Sequence, residues 1–320
     1  MANTSVENIT KTRVFCINGL YDANQHMFLA GLNICLALTA FLWNIVILKA
    51  LEKESSFHPS SKLLFRCLAS TDLCVGLILE PIYITYLLSS RHTNTCYYTA
   101  RVISIASGIF CGVSLATLTA ISVDRFLALM LGLRYRQTVT LKRARLFVII
   151  LWPTSGVTAA MFEVDYLLTV GIICIAMFIC LITSAFCYTK IYLSLRLHKT
   201  QIAQLNMHAN SCRTDGENPP LNLARYKKSV SAALWLQITL IVCYFPFCVV
   251  AALYAITGVI SPSRDFAWEM TLSIIMLNSS LNPILYFWKI REVRKAVKDT
   301  IGQFCSFEWI YSRFLCYITS

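Results

Sequence analysis

Asp72 is the residue of this chain whose position most demands an explanation. It lies in an apolar run over 67–88 that only it and Glu80 interrupt, and an ionisable group inside such a run needs partners or a purpose. In another apolar stretch Asn278 and Asn282 stand four residues apart and so share a helix face. In a third, Ser104, Ser107, Cys111, Ser114, Leu118, Ser122 and Arg125 recur every three or four residues as one stripe. These groups could converge on a small hydrated cavity able to hold a cation beside Asp72. The alternative is a satisfied polar cluster that glues helices together.

Other groupings suggest movement more than reaction. Asp124-Arg125-Phe126 closes the third stretch, an acid and a base that either pair as an anchor or switch partners. Asn282-Pro283-Ile284-Leu285-Tyr286 and Cys243-Tyr244-Phe245-Pro246 each carry a proline, which removes a backbone hydrogen bond and loosens a helix. An ordinary kink is the plain alternative for each. His26, His58, His92, His198 and His208 all fall at span ends or in loops, away from any nucleophile or metal-ligand cluster, which argues against an enzyme.

The elements that must position these groups follow from composition. Apolar types make up 57% of the chain and charged types 14%, against about a quarter charged in soluble domains. The charge is clustered, leaving uncharged windows at 27–48, 102–123, 146–162, 166–189, 229–263 and 270–288. With 67–88 they make seven windows of the roughly 20 residues needed to span a bilayer. In lipid every backbone group must be paired internally, so each window is expected as a helix. The fold class is therefore an all-α integral membrane bundle of seven transmembrane helices. With the N-terminus outside, only Lys11, Arg13, Arg91, Arg101 and Arg264 of the 28 Lys and Arg lie on the outer side, as the positive-inside rule requires. The net charge of +12 reads as that topology signal plus attraction to anionic inner-leaflet lipid, not as nucleic-acid binding. No cleavable signal peptide is evident in the first 25 residues.

The spans are expected at about 26–50, 61–88, 96–129, 142–162, 166–195, 224–257 and 266–288. The connection between the fourth and fifth is very short, and the inner loop 198–223, with Asp215-Gly216-Glu217-Asn218-Pro219-Pro220, is expected to be flexible. Ser261-Pro262 marks an outer turn. After the seventh span Ile290, Val293, Val297 and Ile301 recur at helical spacing opposite Lys289, Arg291, Arg294, Lys295 and Lys298, a helix lying on the inner membrane surface. The chain thus divides into an extracellular N-terminus, 1–25, one membrane domain, 26–288, and a surface helix and cytoplasmic tail, 289–320. Asn3 and Asn8 head glycosylation sequons. Cys16 and Cys96 lie outside, as a candidate disulfide or as two free thiols. Cys305 is a palmitoylation candidate or a plain cysteine.

Taken in order, these motifs resemble the rhodopsin-like, class A G-protein-coupled receptors over residues 26–301. The matches are Asn44, Leu68-Ala69-Ser70-Thr71-Asp72, Asp124-Arg125-Phe126, Trp152, Tyr188, Cys243-Tyr244-Phe245-Pro246 and Asn282-Pro283-Ile284-Leu285-Tyr286. The resemblance implies a multi-pass plasma-membrane receptor that converts an extracellular ligand into activation of a heterotrimeric G protein. It further implies that Asp72, Ser114, Asn278 and Asn282 line an allosteric sodium site, the chain needing no other cofactor. Arg125 would hold the inactive state and then meet the G protein; Tyr188 and Tyr286 would swing inward; Pro246 and Pro283 would let their helices move.

Several positions depart from that pattern. Phe126 stands where Tyr is usual, Tyr244 where Trp is usual, and Cys180 where a helix-five proline is usual. The stretch 163–166 has no cysteine to pair with the top of the third span, and Tyr226, beside Arg225, Lys227 and Lys228, replaces an acid low on the sixth. The stub-like second outer loop and the missing proline look most like melanocortin receptors and their lipid- and cannabinoid-receptor relatives, although Glu80 is displaced from the expected acid and Ala100 and Ser104 replace others. Ser107, Met276 and Ala251 disfavour a monoamine, retinal and a nucleoside. The pocket left is Glu80, Tyr83, Ser104, Ser107, Cys111, Tyr244, Phe247, Cys248, Ala251, Glu269, Leu272 and Met276, suited to a lipid or small peptide. A receptor-fold scaffold or decoy that does not signal is the alternative, and a small transporter a more distant one. With no acid on the sixth span to restrain Arg125, appreciable ligand-free G-protein activation is expected. It should be lost in Arg125→Ala at matched surface expression, and equal signals from both proteins would refute the loose restraint.

Overall fold

A computed structural model describes residues 23–53, 58–90, 93–209, 221–257 and 262–289, with 294, 295, 297, 298 and 302. Among the described residues there are seven long helices: α1 (Ala23–Lys53), α2 (Pro59–Leu88), α3 (Asn94–Leu131), α4 (Leu141–Ala160), α5 (Tyr166–Ala209), α6 (Leu221–Thr257) and α7 (Pro262–Lys289). No strand occurs among the described residues. Six helices hold segments long and apolar enough to cross a membrane, and α6 contributes the apolar stretch Ile238–Tyr254. With no water to serve the backbone in hydrocarbon, continuous helices satisfy every span from within. Large apolar side chains such as Leu38, Ile149, Ile182 and Ile238 are accordingly exposed, because this surface faces lipid.

The helix ends follow local chemistry. Thr93 and Thr140 cap α3 and α4 by accepting from Cys96 N and Arg143 N at 3.3 and 3.4 Å, and Asp165 accepts from Leu168 N at 3.0 Å in the first turn of α5. Gly132, at φ +49°, ends α3 in a conformation that other residues avoid, and the single turn Tyr135–Thr138 follows. Pro262 opens α7 itself, since a first-turn residue needs no N–H. It therefore belongs to the helix, not to the outer turn expected from sequence.

Two other expectations are corrected. The second span is not one uniform α-helix: Val75–Leu79 forms a π-helical turn in which Glu80 N–H bonds Val75 O. Pro81 offers no N–H to Leu77 O, so the ladder slips by one residue there. An all-apolar run hides such a slip. The first part of the loop expected from 198 is helical through Ala209, because 198–209 contains neither Gly nor Pro to stop α5. After α7, Val297 is buried in the main core while Lys298 is exposed and Lys295 more so than Arg294; Ile290, Val293 and Ile301 lie outside the described residues. Cys96 is disulfide-bonded, whereas Cys35, Cys67, Cys74, Cys111, Cys174, Cys180, Cys187, Cys243 and Cys248 are free. Cys16, Asn3, Asn8 and Cys305 lie outside the described residues, as does 215–220 of the inner loop.

Small residues set how closely the helices approach. A Cβ at Gly76 would meet Ala40 Cβ at 2.9 Å and the α1 backbone at Ala37 O and Phe41 N, both at 3.0 Å. Gly108 and Gly112 serve α3 against α4, where Cβ atoms would meet Ala159 Cβ at 3.0 Å and Ser155 Oγ at 3.1 Å. Backbone cannot yield as a flexible side chain does, and overpacking costs about 1–3 kcal/mol. Gly76→Ala is therefore expected to lower the thermal midpoint and surface expression. Gly31→Ala, where nothing lies within 4 Å, should leave both unchanged, and equal behaviour of the two variants would refute the packing argument.

Candidate functional site

Asp72 is fully buried on α2 and draws partners from two other helices. Ser114 on α3 donates to its Oδ1 at 3.1 Å, and Asn282 Nδ2 on α7 donates to its Oδ2 at 2.9 Å. Ser279 lies three residues before Asn282 on the same face of α7 and is buried. Asn278, one turn before Asn282, is 1% exposed, and both polar atoms of its side chain lack a hydrogen-bond partner. The structure thus joins Asp72, Ser114 and Asn282 directly and leaves Asn278 buried without a bond. Buried polar groups are nearly always satisfied, so an orphaned amide calls for an occupant such as water or an ion. Further contacts tie α1 to α7: Asn44 Nδ2 donates to Ser279 O at 3.1 Å and Asn33 Nδ2 to Ser273 Oγ at 2.9 Å. Sequence reading missed Ser279, Asn33 and Ser273, although each is a polar residue inside an apolar window.

At the α3 terminus Arg125 turns back onto its neighbour. Its Nε and Nη2 donate to Asp124 Oδ2 at 3.2 and 2.7 Å, and Nη2 also donates to Ser61 Oγ on α2. Ser61 donates in turn to Asp124 Oδ2 at 2.8 Å, and Tyr135 Oη to Asp124 Oδ1 at 2.5 Å. No partner of Arg125 among the described residues comes from α6. The side chains of Arg225, Tyr226, Lys227 and Lys228 lie outside the described residues. Ser61 and Tyr135 were missed by sequence reading, because nothing local shows that the turn after α3 folds back on α2. Leu133, 98% exposed beside this network in sequence, is a further residue it passed over.

The aromatic positions around this end pack between helices. Ser122 donates to Tyr188 Oη at 2.7 Å, and Phe126 meets Phe186 edge-on at 6.2 Å. Tyr286 is buried against Phe65 at 5.2 Å, its hydroxyl without a partner. Trp152 meets the Phe110 ring at 6.4 Å.

The opposite half gathers the expected pocket residues into two touching clusters. Tyr83 and Met276 pack with Ile103, while Tyr244, Phe247, Cys248 and Ala251 pack with Cys111, and Leu272 contacts both groups. Tyr83 Oη donates to Glu269 O at 2.8 Å, and His26 Nε2 lies 3.5 Å from Glu269 Oε2. Glu80 is fully buried with both carboxylate oxygens unpartnered. Ser104 and Ser107 donate to Ala100 O and Ser104 O of their own helix. Trp268, also missed, sits 5.1 Å from the Phe247 ring and 5.5 Å from that of Tyr254. Arg101 forms a two-pronged ion pair with Glu163, which ties the short α4–α5 connection to α3 where no cysteine is present to do so.

Residues 43–164 and 159–286 match the profile of the 7 transmembrane receptor (rhodopsin family). Melanocortin receptor 4 of Danio rerio is 26% identical over 295 residues, covering 88% of this chain and 86% of the relative. Melanocortin receptor 5 of Bos taurus is 28% identical over 281 residues, covering 84% and 82%. With Asp72 buried between α2, α3 and α7 and Arg125 at the end of α3, this chain belongs to the rhodopsin family of seven-transmembrane receptors.

Proposed function

We propose that the chain binds an extracellular lipid or small peptide between the outer halves of α2, α3, α6 and α7 and activates a G protein by outward movement of α6. The observation that carries this reading is the capture of Arg125 at the end of α3 by Asp124 and by Ser61 of α2. A ligand favouring the open arrangement shifts the equilibrium by its differential affinity for that arrangement. The G protein favours the same arrangement from the other end, so the two bind with reciprocal coupling. Release of Arg125 from Asp124 and Ser61 would free it to meet the G protein, with Leu133 as an apolar contact beside it. Tyr188, Tyr286, Pro246 and Pro283 would accommodate the motion. Apolar side chains and the unpartnered Glu80 carboxyl support a ligand with a largely apolar body and at least one donor group. The N-terminus is outside in this reading, in the plasma membrane, and Cys16 is the partner proposed for Cys96. A scaffold that no longer signals is the competing reading, against which the Arg125 network stands.

Asp72, Ser114, Asn278 and Asn282 would hold a sodium ion, and the orphaned Asn278 amide within this cluster fits such a group. A bound cation supplies a counter-charge to Asp72 that favours the closed bundle. Replacing an organic cation by sodium at constant ionic strength is expected to lower ligand-free nucleotide exchange by the wild type. Asp72→Asn should abolish that sodium dependence, and a variant as sodium-sensitive as wild type would refute the site. Tyr135→Phe removes a hydrogen bond to a carboxylate, a contact worth about 1.5–3 kcal/mol, and should raise ligand-free exchange severalfold. Unchanged or lower exchange at matched expression would exclude Tyr135 from the restraint.

A further inference from the structure

The turn between α3 and α4 and the first turns of α4 carry charge of one sign. From 126 to 162 the chain holds Arg134, Arg136, Lys142, Arg143 and Arg145 and no Asp or Glu. All five side chains are exposed, and among the described residues none is in a salt bridge. Other cations at this end of the bundle are answered: Arg66 lies 3.3 Å from Glu52 and Arg125 2.7 Å from Asp124. Arg143 Nη1 donates to Thr138 O at 2.7 Å, which ties the turn to the start of α4.

One face of α4 continues this patch along the membrane. Lys142, Leu146, Ile149, Pro153 and Val157 follow one another at three- or four-residue spacing and so share that face. Each of them is exposed, and Ala159 alone of the α4 residues is buried. From Leu146 to Val157 the apolar stripe rises roughly 16 Å. That is about half of a hydrocarbon core of roughly 30 Å, the depth of one leaflet. Arg145, three residues after Lys142, flanks the top of the stripe.

We propose that this patch holds a phospholipid of the inner leaflet whose headgroup bears several phosphates, with its acyl chains along the α4 stripe. A headgroup of single net charge would leave most of the five cations unanswered. Guanidinium groups take phosphate oxygens in pairs, and Lys142 adds a point charge. A soluble partner could meet the cations from the water but not the stripe, which lies at the depth of the acyl chains. The leaflet follows from the proposed orientation. Binding does not depend on that reading, because it needs neither ligand nor G protein.

The test uses the full-length protein in phosphatidylcholine nanodiscs containing phosphatidylinositol bisphosphate with a diazirine in its acyl chain, irradiated and mapped by mass spectrometry. Label is expected on the α4 segment 146–157. Unlabelled phosphatidylinositol bisphosphate should remove it, and phosphatidylserine at equal total headgroup charge should not. Lys142→Gln with Arg145→Gln should lower labelling roughly tenfold or more, since each cation near an anionic surface contributes a several-fold factor. The thermal midpoint should stay as in the wild type, and Lys142→Arg should retain the label. Lys190, an exposed cation on α5, is the control: Lys190→Gln should leave α4 labelled. Label spread evenly over all seven helices, competed equally by phosphatidylserine, or kept by the double Gln variant would overturn the site. An unlabelled α4, with the same variant losing affinity for the G protein in discs free of anionic lipid, would assign the patch to a protein partner and overturn it too. Absence of nucleotide exchange with α4 still labelled would count against the receptor reading and not against the lipid site.

Discussion

A carboxylate in the middle of a membrane bundle is tolerable only if other helices come to it. Taking such a group out of water costs several kcal/mol even after relaxation, and Asp72 is fully buried. Ser114 and Asn282 answer it from α3 and α7, so the positions of three helices are fixed by one side chain. Asn44 and Asn33 extend the same seam to α1 through Ser279 and Ser273. These contacts are directional, and a shift of one helix along another would break them. Gly76 adds a steric limit by holding α2 against the α1 backbone.

The other side of the bundle is built differently. α6 meets its neighbours through Phe247, Trp268, Tyr254 and the thiols near Tyr244. Apolar and aromatic contacts are non-directional and tolerate sliding far better than a hydrogen-bonded carboxylate does. Tyr254 Oη to Asp265 at 2.6 Å is a polar exception, and it lies at one end of the helix. The chain therefore joins a pinned half, α1, α2, α3 and α7, to a half whose packing can rearrange. That division is what the proposed movement of α6 would draw on.

What the sequence made legible was whatever charge and periodicity encode directly. Seven spans followed from the gaps between charged residues, and Asp72, Ser114 and Asn282 from polar groups isolated in apolar runs. The π-helical turn at Val75–Leu79 left no such trace, since slipping the register of an all-apolar segment changes no residue type. The extension of α5 to Ala209 was hidden because polar residues outside the membrane can be either loop or helix. Ser61, Tyr135 and Trp268 were invisible for a third reason: their importance arises from contacts between segments distant in sequence.

The departures from the family pattern make sense in these packing terms. Phe126 needs no hydroxyl because its ring packs on Phe186 and the Tyr188–Ile191 cluster, while Tyr135 supplies the hydroxyl that Asp124 accepts. Tyr244 is smaller than the usual Trp, and it shares its core cluster with Cys111, Cys243 and other small, polarizable thiols. Cys180 in place of proline leaves α5 continuous from Tyr166 to Ala209. Prolines lie instead inside α4 at Pro153, α6 at Pro246 and α7 at Pro283, and of these three helices only α7 is pinned to Asp72. Among the described residues Arg125 is thus held from α2 and α3, while the proline of α6 lies apart from the Asp72 cluster.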